Sequence, residues 1–235
     1  MSVRTKRLLL WLVVMVIAAI VIVVTTSQPQ ATTIGPTATG PTPTLRPATP
    51  QPVAPLTAQL DALPATETTV PGYDRDAYGT GWKDPDHNGC DARNDTLARD
   101  LTAVTFAPGT HDCVVLTGTL DDPYSGARIT FVRGNTTSDD VQIDHVVPLS
   151  WAWSHGAAGW TDEQRLLFAN DPLNLRAVDG PTNGSKSDSG PAEWMPPATG
   201  YACTYVESFL AVLVAYDLGV DEADRTAMHS TLASC

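Results

Sequence analysis

Apolar residues along this chain form one long unbroken run near the start and several short, patterned runs in the second half. The long run, Leu8 to Val24, carries no charge, follows basic residues, and is close to the roughly 17 residues that a spanning helix needs. A soluble core helix is rarely apolar on every face. Residues 1–24 are therefore predicted to form a membrane helix, either an uncleaved signal anchor, which we favour, or a cleaved signal peptide.

Three short runs predict strands in the second half of the chain. They are ARITFVRG, VQIDHVVPLS and LNLRAVD, which combine β-branched residues with turn-forming neighbours. Only a turn sequence separates the first two runs, so we expect them to pair as a hairpin or to lie side by side.

Helical patterns are more frequent than strand patterns in the same region. A helix is predicted near Asp91, another over TDEQRLLFAN, where Thr161 and Gln164 form a capping-box pattern, and a brief one at the proline of PTNGSKSD. Two further helices are predicted at the C-terminus, separated at Gly219. The expected fold class is α+β, with a small β unit embedded in a mainly helical domain over residues 71–235.

Composition and charge separate the preceding segment from this domain. Residues 25–70 are rich in threonine and proline and offer little to bury, so they are predicted to be a disordered linker. The full chain has a net charge of −12, and residues 71–235 carry 10 Lys and Arg against 24 Asp and Glu. This balance excludes a broad basic face for nucleic acid, so such binding would need a local basic patch or a metal ion.

All four cysteines lie in the predicted domain, which is expected to be exported. An even number of cysteines in an exported domain predicts two disulfides, and three pairings are possible. We favour Cys90–Cys113 and Cys203–Cys235, because each closes a local loop. A four-cysteine zinc site is the alternative, but no pair of cysteines has the short spacing typical of such sites.

An acidic and an imidazole side chain, Asp144 and His145, interrupt the apolar run VQIDHVVPLS. Polar groups in such a strand must be paired with other groups or have a function. Two later segments carry further candidates: NLRAV begins with Asn174, and NGSKSD contains Asn183 and Lys186.

Three segments, in their order along the chain, resemble the motifs of HNH endonucleases, whose active site is the ββα-metal, or His-Me, finger. IDHVVPLS resembles the motif D-H-x-x-P-L, NLRAV resembles N-L, and NGSKSD resembles N-x-x-K. The resemblance is closer to a branch that includes secreted bacterial proteins and the nuclease portion of GmrSD restriction enzymes. That likeness extends through WKDPDHNGCDARN and FANDPLNL and covers most of residues 73–197. The sequence departs from the family name at Asn183, which replaces the last histidine, and it lacks the zinc cysteines of some HNH proteins.

The resemblance implies a role for each matching residue. His145 would be the general base, and Asp144 and Asn183 would hold a divalent metal. Asn174 would be a further residue of the catalytic site, where it would brace the finger. A histidine suits proton removal from water near neutral pH. Carboxylate and amide oxygens are hard ligands, so Mg²⁺ or Mn²⁺ is expected as the cofactor.

Two basic residues are candidate contacts to a substrate phosphate. Lys186 belongs to the last motif; the alternative to a phosphate contact is a solvated lysine on the surface. Arg93 lies in CDARND; the alternative to a phosphate contact is a salt bridge within the protein. The stretch Asp84 to Gly89, DPDHNG, resembles part of a calcium loop. No glutamate closes the full twelve-residue spacing, so no calcium site is predicted there.

The sequence thus predicts a metal-dependent endonuclease that hydrolyses phosphodiester bonds in DNA, with RNA left open as a substrate. It would act outside the cytoplasm, anchored to the membrane by its N-terminal helix or secreted, and no protein partner is predicted. One alternative is a cell-surface binding module that has the same fold and no catalytic activity. Another is an exported metal-dependent hydrolase of a different phosphoester.

Overall fold

Seven helices and five strands form the part of the chain that the computed structural model describes, residues 55–66 and 69–235. The helices are α1 (Leu56–Ala62), α2 (Ala92–Asp100), α3 (Leu149–Ser154), α4 (Asp162–Asn170), α5 (Gly180–Lys186), α6 (Ala202–Tyr216) and α7 (Glu222–Leu232). The strands are β1 (Thr102–Phe106), β2 (Val115–Asp121), β3 (Arg128–Val132), β4 (Val141–His145) and β5 (Leu175–Asp179). Within these ranges no helix has the length and apolar character needed to span a membrane. The predicted membrane helix, residues 1–24, and most of the predicted linker lie outside them.

Strands β4 and β5 and helix α5 form one unit, called the finger below. The two strands are antiparallel, with Val141 opposite Asp179 and His145 opposite Leu175. Helix α5 follows β5 directly, and the carboxylate of Asp179 caps it by accepting a hydrogen bond from the Thr182 backbone amide. This strand–strand–helix order is the ββα arrangement that the resemblance implies.

The predicted pairing of ARITFVRG with VQIDHVVPLS is wrong. ARITFVRG contains β3, which pairs with β2 in a separate antiparallel sheet of order β1–β2–β3. Strand β4 pairs with β5, which comes much later in the sequence. Strands β1 and β2 were not predicted; in β2, buried positions alternate with partly or fully exposed ones only from Gly118 to Asp121.

Two apolar clusters fix the position of the finger. The larger cluster joins helices α1, α3, α4, α6 and α7 and includes Val146 and Val147, which follow β4 directly. The smaller cluster joins α2, β2 and β3 to the finger through Val141, Ile143 and Leu175. Because β4 and the residues after it contribute to both clusters, the end of β4 is held where the two meet.

The folded region begins earlier than predicted. Helix α1 lies within the range assigned to the linker, yet Leu60 is fully buried. Ala65 forms a parallel β-bridge with Val220, and the Arg225 guanidinium donates hydrogen bonds to the carbonyls of Leu60 and Leu63. The apolar residues of this segment therefore pack against α7 and the loop before it.

The helices predicted from local signals are confirmed. Asp91 caps α2 by accepting a hydrogen bond from the Asn94 backbone amide, and both hydrogen bonds of the capping box that joins Thr161 to Gln164 are present at α4. Helices α6 and α7 are separate, with Gly219 between them.

Both favoured disulfides are present. Cys90 and Cys113 have Cα atoms 5.0 Å apart, and their bond joins the segment before α2 to the segment before β2. Cys203 and Cys235 have Cα atoms 5.9 Å apart, and their bond joins the first turn of α6 to the last residue of the chain.

Candidate active site

A buried asparagine, Asn174, holds the backbone that follows β4. Its amide oxygen accepts a hydrogen bond from the Val147 amide at 2.8 Å, and its amide nitrogen donates to the Val147 carbonyl at 3.2 Å. Its own carbonyl accepts a hydrogen bond from the Val146 amide. The side chain is fully buried, so its position suits the bracing role and not contact with a substrate.

His145, the last residue of β4, has a fixed tautomer. Its Nε2 lies 2.8 Å from the Ala169 carbonyl oxygen. A carbonyl can only accept, so Nε2 carries the hydrogen and Nδ1 keeps a lone pair. Burial lowers the pKa of His145 to about 4, which leaves the ring neutral near pH 7. The Trp82 ring lies nearly parallel to it, with ring centroids 5.9 Å apart.

Asp144 is buried and has two partners. Its Oδ1 lies 2.9 Å from the Lys186 ammonium, and its Oδ2 accepts a hydrogen bond from the Tyr124 hydroxyl at 2.7 Å. Burial raises the pKa of Asp144, and these two partners oppose that rise. Each carboxylate oxygen has two lone pairs, so each retains one for another ligand.

Lys186 does not occupy the position that a phosphate contact requires. Its side chain is fully buried, and its ammonium also donates a hydrogen bond to the His145 carbonyl at 2.8 Å. Lys186 therefore joins the end of α5 to the end of β4 from within the domain.

The Arg93 side chain is also hydrogen-bonded within the protein. Its guanidinium donates to the carbonyls of Ser138 and Val141, both at 3.3 Å, which ties α2 to the start of β4. Burial is the main reason that its pKa is lowered. Arg93 does not line the cleft described next, so the structure offers no support for its predicted phosphate contact.

Three predicted residues meet at an open cleft of about 350 Å³: Asp144, His145 and Asn183. The Asn183 amide nitrogen donates to Gln142 Oε1 at 2.9 Å, which orients the side chain. Among the described residues, none donates a hydrogen bond to its amide oxygen. Carboxylate and amide oxygens with free lone pairs are the donor set that Mg²⁺ and Mn²⁺ prefer, so these residues fit the expected metal.

The cleft contains residues that the sequence analysis missed. Arg75, at the start of a short 3₁₀ turn, is exposed and lines the cleft together with Tyr73, Ser150 and Asp188. Its charge also contributes to the lowered pKa of His145. No motif points to Arg75, because it lies seventy residues before His145 and only the fold brings the two together.

A second group of possible metal ligands lies outside the finger. Atoms of His155, Asp221 and Asp224 lie within 4.8 Å of one another. The Asp224 carboxylate already accepts hydrogen bonds from the Trp151 indole and the Ala192 amide. This group joins the end of α3 to the start of α7. The distance of 3.3 Å between His155 Nε2 and Asp221 Oδ2 is also that of an ordinary ion pair.

Comparison with known proteins identifies the family. The model of the family described as "GmrSD restriction endonucleases, C-terminal domain" matches residues 91–231. The chain belongs to this family. An uncharacterized secreted protein from Arthroderma benhamiae is 43% identical to it over 148 residues, covering 62% of this chain and 68% of the relative. No solved structure matches the chain.

The GmrSD family match covers the whole finger, including every motif residue from Asp144 to Lys186. It also covers α2 and the sheet β1–β2–β3, so these belong to the same family domain as the finger. Membership supports a nuclease-related function, and HNH-type nucleases of this kind generally use a divalent metal.

Proposed function

We propose that this chain is an exported, metal-dependent endonuclease that hydrolyses phosphodiester bonds in DNA, with the finger as its active site. The observation that carries the proposal is the convergence of Asp144, His145 and Asn183 on one open cleft. The GmrSD family match supports a nuclease. The two disulfides, and a relative described as secreted, support action outside the cytoplasm.

His145 is the general base in this proposal. Its Nε2 hydrogen is committed to the Ala169 carbonyl, so Nδ1 is the atom that takes the proton from the attacking water. Because the pKa of His145 is about 4, nearly all of the ring is neutral at pH 7 and able to accept a proton.

Asp144 and Asn183 would hold the cation, which we propose to be Mg²⁺ or Mn²⁺. Lys186 and Tyr124 keep the Asp144 carboxylate in position, and Gln142 does the same for Asn183. The cation, when bound, supplies the positive charge that offsets developing charge on the phosphate and the leaving oxygen.

Arg75 is the phosphate contact in this proposal, in place of Arg93 and Lys186. It is an exposed cation at the cleft, and a guanidinium can hold two phosphate oxygens at once. In a domain with a strong excess of acidic residues, an exposed basic group beside the base is well placed to orient the scissile phosphate.

The test is plasmid nicking by the purified full chain with Mg²⁺, with Mn²⁺ and with a chelator. We expect metal-dependent nicking that falls at least a hundredfold in His145→Ala, because general bases contribute roughly 10²–10⁴ to such rates. The matched control is His229→Ala, which removes a histidine on α7 that is bonded to Asp61, outside the cleft. It should nick as the wild type does.

Two outcomes would contradict the proposal. Equal nicking by His145→Ala and the wild type would place the chemistry outside the finger. Failure of the wild type to cut DNA or RNA with any divalent metal would favour the alternative, a surface binding module that kept the fold.

A further inference from the structure

A histidine and two aspartates meet where α3 ends and α7 begins. His155 follows the last residue of α3, Asp221 caps α7, and Asp224 lies in the first turn of α7. One donor atom from each residue lies within 4.8 Å of the other two. His155 is only 4% exposed and Asp224 only 3%. This set, called the His155 site below, therefore brings one imidazole nitrogen and two carboxylate oxygens together, with two of its three residues buried.

We propose that the His155 site binds one Zn²⁺, independently of the finger. A nitrogen donor beside carboxylate oxygens suits zinc, whereas Mg²⁺ and Ca²⁺ prefer oxygen donors alone. Three protein ligands with a fourth position left open are a common zinc arrangement. All four cysteines of the chain form disulfides, so no thiolate competes for the ion.

The hydrogen bonds of the His155 ring point to a cation at its other nitrogen. Nδ1 lies 2.6 Å from the Trp151 carbonyl oxygen, which can only accept, so Nδ1 carries a hydrogen. In the neutral ring Nε2 then has a lone pair, and the group that it faces, Asp221 Oδ2, is also an acceptor. Two acceptors that face each other at a buried nitrogen require either a second proton on the ring or a metal ion.

The distance between these two acceptors favours the metal ion. A hydrogen bond from an imidazolium to a carboxylate is about 2.7–2.9 Å long. His155 Nε2 and Asp221 Oδ2 are 3.3 Å apart, which is within the range of an ion pair but longer than such a hydrogen bond. Two ligands of a tetrahedral zinc ion, each bonded at about 2.0–2.2 Å, lie about 3.3–3.5 Å from each other.

Trp151 orients two of the three ligands from outside the His155 site. The His155 ring is stacked on the Trp151 ring, with centroids 3.4 Å apart and planes 3° apart. The Trp151 indole nitrogen also donates to Asp224 Oδ2 at 2.8 Å, and the Ala192 amide donates to Oδ1 at 2.7 Å. Each of these oxygens keeps one lone pair. Ligating histidines usually donate their other N–H to a carbonyl or carboxylate, and ligating carboxylates are held by neighbouring donors, as both are here.

The negative charge of the His155 site has no lysine or arginine beside it. Among the described residues, the salt bridges of Asp221 include only His155, and Asp224 forms none. Burial raises the pKa of Asp224, because a carboxylate is costly to remove from water without a cation nearby. A divalent cation would supply the missing positive charge.

The open side of the His155 site faces a cleft of about 440 Å³, which all three ligands line. Water or another oxygen can therefore reach the fourth position of the ion. This cleft shares Tyr73, Ser150 and Asp188 with the cleft of the finger. A bound zinc ion would give a second phosphate of the substrate a cation to contact, in a domain with few basic side chains. This consequence rests on the proposed function, whereas zinc binding itself does not.

The test is calorimetric titration and thermal unfolding of the full chain with ZnCl₂. The protein is purified in mild detergent without a polyhistidine tag and is freed of metal with a chelator. With about 100 µM Zn²⁺ we expect the melting temperature to rise by roughly 5–10 °C, which corresponds to a dissociation constant of about 1 µM. The same concentration of MgCl₂ should give a much smaller rise.

Two variants remove the His155 site, and one matched variant preserves it. His155→Gln and Asp221→Asn should each bind one zinc ion fewer per chain than the wild type. Asparagine caps a helix as well as aspartate does, so Asp221→Asn retains the start of α7 even if His155→Gln folds poorly. His229→Gln changes a histidine of α7 that is bonded to Asp61 and does not line the cleft, so it should bind zinc as the wild type does.

A further variant separates this site from the finger. Asn183→Ala lacks a proposed finger ligand and should still bind the zinc ion that Asp221→Asn loses. Failure of the nuclease proposal would therefore leave the zinc result unchanged, and failure of the zinc proposal would leave the nicking result unchanged.

Either of two results would overturn the zinc site. One is that His155→Gln and Asp221→Asn bind as many zinc ions per chain as the wild type. The other is that the wild type binds no zinc beyond what Asn183→Ala loses, which would mean that His155 and Asp221 form an ion pair only.

Discussion

At the scale of single residues, burial of His145 decides the pH range of the proposed activity. The pKa of His145 lies at about 4, below the ordinary value near 6.5, so the neutral ring persists to lower pH. We expect kcat/KM with a saturating metal to stay nearly level from pH 8 to about pH 5 and to fall only as pH approaches 4. A pH profile on a short duplex measures this. A half-maximal kcat/KM near pH 6.5 would contradict a buried His145 ring that is hydrogen-bonded to the Ala169 carbonyl.

The sequence predicts the identity of the finger residues better than their contacts. The motif residues could be selected because the motifs and their spacing are visible in the sequence itself. These residues are Asp144, His145, Asn174 and Asn183. The burial of Lys186 could not be predicted, since its ammonium is enclosed by groups from distant parts of the chain.

At the scale of elements, one buried ion pair joins β4 to α5. Removing the lysine alone leaves a buried carboxylate with only Tyr124 as its partner, and breaking a buried pair in this way costs about 3–5 kcal/mol. We therefore expect Lys186→Met to lower the free energy of unfolding by about that amount, measured by urea denaturation. Asp144→Asn combined with Lys186→Met should cost less than the sum of the two single changes.

The matched control for this prediction is a pair on the surface. Arg128 and Asp121 lie 3.7 Å apart with both side chains largely exposed. Exposed pairs contribute about 0–1 kcal/mol, so Arg128→Met should have little effect. If Arg128→Met and Lys186→Met lowered the free energy of unfolding equally, the ion pair between Asp144 and Lys186 would contribute no more than a surface pair.

Elements were predictable where their signals are local. The capping box of α4 and the proline in the first turn of α5 specify where those helices begin, and both are confirmed. Strand partners depend on contacts between distant segments, so the pairing of β4 with β5 could not be read from two neighbouring apolar runs. Helix α1 was missed because its one buried residue, Leu60, packs against the C-terminal helices α6 and α7, at the opposite end of the chain.

At the scale of the whole molecule, net charge governs the response to salt. Residues 71–235 carry 24 acidic and 10 basic side chains, so few of the counterions on DNA can be displaced. We expect log KM for duplex DNA to rise with log KCl at a slope of about 1–2 with the divalent metal held constant. A steep slope like that of a basic nuclease would mean that a basic surface has been overlooked.

The two disulfides bear on where the chain becomes covalently constrained. Thiols remain reduced in the cytosol, so a newly made chain has neither bond there. One of the bonds fixes Cys90, within the segment that leads from Trp82 to α2, and the other fastens the final residue. The proposed nuclease would thus acquire both covalent constraints only after leaving the cytosol.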